Sequence, residues 1–325
     1  MSHLSRRPKA TFQVDLDGSW VLLQWLGCPP SENTARRGAD ALFDQGIPRT
    51  LELFERYGVR ATYFVNGLDL EDAGKRARLE EVAAAGHEIA SHGWDHGYFS
   101  MIDAQERTRQ IADSAAAIRD VFGAAPRGFR AAGYDMDAAG LQILEAHGYT
   151  YDCSALPTAI GPALELSQRL LTGRRQVSYP LLQQLSGPTE PYQPHSTALY
   201  RPGGSGIVEI PVSVVPALRL PLSFSYSALM GDWYLRAGLG WALKSAGTVN
   251  FLFHLIDFVG PVEHPRLSKL PLASMPIERR LRLAAWAVRE VCDRADVLRT
   301  DDLLASLSGA APAALPSLAL AGGSR

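Results

Sequence analysis

The sequence predicts an α/β fold arranged as a closed or nearly closed barrel. Short β-like runs alternate with helical patterns along most of the chain, and the count of about seven such units exceeds what a small open sheet needs. Length points the same way. The 325 residues would suit two domains of ordinary size, but α/β barrels routinely use such a length once. One barrel domain over residues 1–308 is therefore expected.

Taken in order, Thr11 to Val14 reads as the first strand. Gly46 to Tyr57 reads as a helix, with Pro48 early, Leu51, Phe54 and Tyr57 on one face, and Gly58 closing it. Ala61 to Val65 is the second strand, Arg76 to Ala85 a helix stopped by Gly86, and Glu88 to Ala90 a strand that delivers the chain to His92. Ser100 to Phe122 is a longer amphipathic helix that turns Ile111, Ala115, Ile118 and Phe122 inward and ends at Gly123. Further strands are expected at Gly128 to Arg130, Tyr149 to Asp152, Val208 to Val212, Val249 to His254 and Val297 to Arg299. Residues 156–206 break this rhythm and read as an inserted cap or edge element, and 309–325 as a flexible low-complexity tail.

Composition narrows the function classes. A hydrophobic content of 46% suffices for a substantial core. A formal net charge of −2 supplies no field for gathering nucleic acid or an anionic membrane. No apolar run reaches the length of about 18 residues that a membrane span needs, and the first ten residues lack the pattern of a signal peptide, so a cytoplasmic location is expected. Cys28, Cys153 and Cys292 are too few and too scattered for a disulfide framework or a thiolate metal site, and read as reduced thiols.

Chemistry concentrates in two places. TFQVDLDGSW sets Asp15 and Asp17 two residues apart, so on an extended chain both carboxylates point to one side, where they need a cation or a shared proton. A solvated acidic turn is the alternative for this string alone. GHEIASHGWDHG carries His92 and His96, whose spacing lets both imidazoles face one point if the segment turns helically. Two histidines and one carboxylate form a usual ligand set for a catalytic divalent ion with a position left for water. His87, in the preceding turn, reads as structural.

The order of Asp15 and Asp17, then GHEIASHGWDH, FRAAGY, YDCS and FLFH, resembles the successive motifs of NodB-homology polysaccharide deacetylases, carbohydrate esterases that remove N- or O-acetyl groups. The resemblance spans Thr11 to about Leu307 and implies a distorted (β/α) barrel of about seven strands with the motifs at the carboxyl ends of its strands. It implies Asp17, His92 and His96 as metal ligands, Asp15 as general base and His254 as the acid that protonates the leaving amine. Arg130 would hold the base and Gly133 would lie where backbone stabilises the oxyanion, while Asp152 in YDCS either orients His254 or simply ends a strand. Trp94 and Tyr134 sit where aromatic walls would serve a sugar or acyl group, although core packing explains them equally.

Leu16 separates the two aspartates, Ala132 stands where the family commonly has proline, and FLF precedes His254. With GIPRTLELFERYGVRATYFVNG, these features look closer to the branch of peptidoglycan-deacetylase-like proteins, allantoin and cyclic imide amidohydrolases, and lipid-linked aminosugar deformylases. The expected function is removal of an acetyl or formyl group from an aminosugar or related small amide. Cyclic amide opening is the second reading and a non-catalytic ligand-binding barrel the third. Zn2+ is the default ion, with Co2+, Ni2+, Mn2+ and Fe2+ also admitted by the ligand types. The expected partner is a sugar or other small molecule, without nucleic acid, and the 156–206 region offers a surface for a homo-oligomer contact.

Overall fold

The computed structural model describes residues 7–29, 33, 36, 38–173, 181–204, 206–261 and 264–309. Five strands open the barrel: β1 (Lys9–Asp15), β2 (Thr62–Val65), β3 (Glu88–Ser91), β4 (Gly128–Phe129) and β5 (Tyr151–Asp152). They lie side by side and parallel, continued beyond β5 by Val208–Glu209 and flanked on the other side of β1 by Thr248–His254. The short strand Asp296–Val297 pairs with the start of β1, at Lys9 and Ala10.

The two ends of this curled sheet meet through few bonds, which is why the barrel is distorted. Past Val208–Glu209 the chain runs into Pro211, which has no N–H to give a ladder. The strand expected to reach Val212 therefore ends at Glu209. In place of a ladder, Asn250 bridges the gap: its side chain donates to the carbonyls of Ile210 and Pro211 at 3.3 and 3.2 Å, and its own carbonyl accepts from Ser213 at 3.2 Å.

Alternation along β1 explains how the barrel divides core from site. Ala10, Phe12 and Val14 join the large apolar cluster shared with the surrounding helices, where Phe12 packs 5.8 Å from Phe54 and 6.2 Å from Phe253. Thr11, Gln13 and Asp15 take the other face and are buried in a polar interior, with Thr11 donating to Asn250 and Gln13 to Thr300.

Helix ends follow their caps. Asp103 accepts from the amide of Glu106, so the long helix runs Ala104–Phe122 instead of starting at Ser100, and Gly123, with φ +77°, closes it. Asp72 caps the helix Ala73–Ala84 in the same way. Within 156–206 the chain forms the helices Gly161–Thr172 and Leu181–Ser186 and the hairpin of Pro194–His195 with Ala198–Pro202. The expected tail from 310 onward lies outside the described residues. Among the described residues, no helix is long and apolar enough to cross a membrane.

Candidate active site

Parallel register brings the first two groups together. Asp15 ends β1 directly opposite His254, the last residue of the neighbouring strand, and the Nε2 of His254 lies 3.7 Å from Oδ2 of Asp15. One residue on, Leu16 turns away into the core and its amide bonds to the carbonyl of Phe64. Asp17 follows on the side of Asp15, so the separation by Leu16 is what period-two geometry requires for two carboxylates facing one cleft.

His92 leaves β3 immediately after Ser91 and its amide donates to the carbonyl of Val65 at 2.8 Å. His92 and His96 do converge, with ring centroids 5.1 Å apart, but the expected helical turn between them is absent. The chain instead makes a bend with two left-handed residues, Gly93 at φ +79° and His96 at φ +58°. Glycine adopts that conformation freely, whereas a histidine there carries strain that its surroundings must hold. Gln110 supplies that hold from the long helix. Its Oε1 accepts the amides of Trp94 and Asp95 at 2.9 and 3.1 Å, and its Nε2 donates to Asp95 at 2.6 Å. Gln110 is a residue that sequence reading missed, since a buried glutamine on a helix has no motif.

The Oδ1 of Asp17 lies 3.5 Å from the Nε2 of both His92 and His96, and the ligand atoms of the three residues are all within 4.8 Å of one another. That oxygen is buried and has no hydrogen-bond partner. Nδ1 of His92 is 2.7 Å from the carbonyl of Arg130, an acceptor only, so Nδ1 carries a proton and Nε2 is the nitrogen turned toward Asp17. An orphaned carboxylate oxygen between two imidazoles, one with its tautomer fixed, is a donor set that fits a divalent cation. Burial alone would push the Asp17 carboxyl up, yet the two imidazoles, His96 foremost, hold it well below the usual carboxylate range. Burial, the largest cause, lowers His96 to about 4.

Arg130 is wholly buried under β1. Its guanidinium donates to Oδ1 of Asp15 at 2.6 Å, to Oε1 of Gln13 and to the carbonyl of Cys153 at 2.9 Å, and stacks 4.3 Å over the ring of Phe64. Burial opposes its charge, and Asp15 leads the neighbours that together outweigh that penalty and raise the group. The next residues form a single tight turn, Ala132–Tyr134, in which Gly133 and Tyr134 are both left-handed. The amide of Tyr134 is committed to the carbonyl of Ala131.

One placement differs from expectation. Asp152 does not reach His254: its carboxylate accepts from Ser154, and it is buried against Glu209, so that both carboxyls are pushed up, first by burial. His254 is instead contacted by Ser225 and Asp257, neither of which any motif singled out. Trp94, offered as a sugar wall or as core, packs against Trp20, Val21 and Leu68. The ring of Tyr134 lies against the cluster of Leu156, Val212, Val214 and Leu252.

Comparison with known proteins agrees with this architecture. Residues 33–151 match the family model for polysaccharide deacetylase, a stretch that contains His92, His96 and Arg130 but not Asp15, Asp17 or His254. A peptidoglycan deacetylase of Helicobacter pylori is 29% identical over 153 residues, 46% of this chain and 50% of the relative. The chain thus spans about half the length of the curated relatives it matches. Among solved structures, a Mycobacterium smegmatis protein described as a polysaccharide deacetylase covers 97% of this chain and 96% of its own at 20% identity, with a TM-score of 0.60. The Puue allantoinase covers 96% and 94% at 15% identity, with a TM-score of 0.59. Those likenesses show the fold. Residues 33–151 are thus similar to a polysaccharide deacetylase domain, and the curled parallel sheet that carries them agrees with a barrel of the NodB-homology type.

Proposed function

We propose that this protein is a metal-dependent hydrolase that removes an N-acyl group, acetyl or formyl, from an aminosugar or related small amide. The observation that carries the reading is the orphaned Oδ1 of Asp17 between two Nε2 atoms, with the Asp15–Arg130 pair and His254 beside it.

Asp17, His92 and His96 are the residues that would hold the ion, and Zn2+ suits one carboxylate and two imidazoles by default. When bound there, a divalent ion polarises the scissile carbonyl and acidifies the attacking water. Asp15 takes one proton from that water as oxygen bonds to the acyl carbon, and Arg130 keeps the carboxylate aimed and charged. As the C–N bond breaks, its electron pair stays on nitrogen, which takes a proton from Nε2 of His254. An amide anion is too poor a leaving group to depart without it. The turn at Ala132–Tyr134 follows directly from Arg130, and backbone near Gly133 is the proposed side for the developing oxyanion.

The test is metal analysis of the purified protein followed by assay on N-acetylglucosamine oligomers and on hydantoin-like rings. Turnover of the acetylated sugars that is lost with a chelator and restored by Zn2+ is expected. A His92→Ala protein that still holds stoichiometric metal would remove the ligand assignment, and Asp15→Asn with unchanged turnover would remove the base.

A further inference from the structure

One buried lysine stands between the two chain segments that bring Asp17 and the pair of His92 and His96 together. Lys75 is the third residue of the helix Ala73–Ala84, where the positive end of the helix disfavours a cation, and it is only 2% exposed. Its ammonium donates to Oδ1 of Asp69 at 2.9 Å and lies 3.7 Å from Oδ2 of Asp40, and both carboxylates are fully buried. A charge in that position is costly unless such partners face it.

Each carboxylate is tied to one of the two segments. Asp40 accepts the amide of Ser19 at 2.9 Å and its hydroxyl at 2.6 Å, two residues after Asp17. Gly18, between them, has no room for a side chain, because a Cβ would lie 2.6 Å from Oδ2 of Asp40. Asp69 sits in the 3-10 turn Gly67–Glu71. The first amides of that turn, Gly67 and Leu68, donate to the carbonyls of Gly93 and Trp94 at 2.9 Å each, inside the bend from His92 to His96. Oδ1 of Asp69 also accepts the indole N–H of Trp20 at 2.7 Å, and Trp20 packs with Leu68 and Trp94. Burial pushes the Asp69 carboxyl up to about 6, with Lys75 the leading opposing influence. The bonds to Oδ1 survive protonation, since a proton would go to Oδ2, which has no hydrogen-bond partner.

We propose that Lys75, acting through Asp40 and Asp69, is a positioning residue for metal binding: its ammonium sets the segment of Asp17 against the bend of His92 and His96, so that carboxylate and imidazoles meet at one point. The inference deepens the metal-site reading and rests on it for what the two segments hold. The bracing itself stands on the polar contacts alone. Lys75→Met by itself would strand two buried carboxylates and endanger the fold. Combining Lys75→Met with Asp69→Asn avoids that. Asp40 keeps its donors in Ser19 and Leu42, position 69 keeps an oxygen for Trp20, and the bridge between them is removed.

The experiment uses the full chain and two readouts. Zn2+ affinity, measured by competition with a chromogenic chelator, should fall about 10-fold in the double variant. With the ion removed, protein labelled with 5-fluorotryptophan should show the 19F resonances of both Trp20 and Trp94 displaced or broadened, each assigned by its loss on Trp→Phe substitution. Leu239→Ala, which opens a cavity in the core beneath the helix Asp232–Ser245, is the control for general loosening and should leave both resonances in place and the affinity within about threefold. An affinity of the double variant within about threefold of wild type overturns the proposal, as does an unmoved Trp94 resonance or an equal loss of affinity in Leu239→Ala. A wild type that binds no Zn2+ would count against the metal-site reading instead, and the 19F measurement, which needs no ion, would still decide whether Lys75 braces the two segments.

Discussion

Replacing Arg130 by Met tests whether the buried ion pair is what holds the base in place. The side chain is wholly buried and Asp15 nearly so, and the guanidinium has three acceptors: the carboxylate of Asp15, the side chain of Gln13 and the carbonyl of Cys153. Methionine fills much of the volume, so the cavity contribution is small. Removing one partner of a buried pair costs about 3–5 kcal/mol, and the acceptors left unsatisfied on Gln13 and Cys153 add at least about 1 kcal/mol. The expected loss of about 4–6 kcal/mol is a large part of a stability of about 5–15 kcal/mol. With a slope of about 3 kcal/mol per molar urea, the unfolding midpoint falls by about 1.3–2 M. The assay is urea unfolding followed by circular dichroism in the presence of a chelator, so that metal linkage does not enter. Adding Asp15→Asn to the same chain removes the stranded charge and should restore about 2 kcal/mol. A single variant within about 1 kcal/mol of wild type, or a double variant no more stable than the single, would refute the reasoning.

Three further outcomes follow from the same geometry. Gln110→Ala frees the bend that presents His92 and His96, and should weaken Zn2+ affinity by about 10- to 100-fold, read by competition with a chromogenic chelator, while the amides of Trp94 and Asp95 left without their acceptor cost about 1–3 kcal/mol of stability. His87 is buried with Nδ1 accepting the amide of Ala61, and burial lowers it to about 4 from 6.5. The unfolded chain therefore binds the extra proton first, and as pH falls from about 6.5 to about 4 the fold should lose up to about 3 kcal/mol, a slope that His87→Gln removes from stability measured across that range. Gly128→Ala would place a Cβ 1.9 Å from the ring of Tyr151, whose hydroxyl is tied to Glu88 at 2.6 Å, so calorimetry should show destabilisation of about 2–3 kcal/mol.

Strand order and the convergence of Asp17, His92 and His96 were legible because they follow from local rules. Period-two alternation in TFQVDLD marks which residues face inward, and the capping and stop residues mark most helix ends within a few positions. What escaped depended on contacts distant in sequence. The bend from His92 to His96 offers the same four-residue spacing as a helical turn, and only Gly93 in its left-handed conformation, together with Gln110, separates the two. Asp152 was expected near His254 because its strand ends at the same rim. The structure shows the four strands β1 to β4 in between, and a partner for His254 arriving from the serine of a helix 29 residues earlier in the chain. The strand after Glu209 was overextended because its apolar run masks a proline that cannot pair.

The polar interior of the barrel bears on which hydrolysis the site suits. Barrels of this kind commonly fill their interior with Val, Ile and Leu, whereas here Thr300 and Gln13 lead by successive hydrogen bonds to Arg130 and so to Asp15. Each bond fixes the next, so Asp15 is positioned from inside the barrel and not by a loop. The polysaccharide deacetylase and allantoinase folds fit this chain almost equally, with TM-scores of 0.60 and 0.59, and architecture cannot choose between opening a ring and removing an acyl group. The donor set discriminates further. A reaction run without a metal has no use for a carboxylate oxygen left without a hydrogen bond between two imidazoles, one of them in a left-handed backbone that its neighbours must restrain. Burying such a group is costly unless a cation offsets it, so the arrangement supports the metal-assisted reading proposed above over a metal-free one.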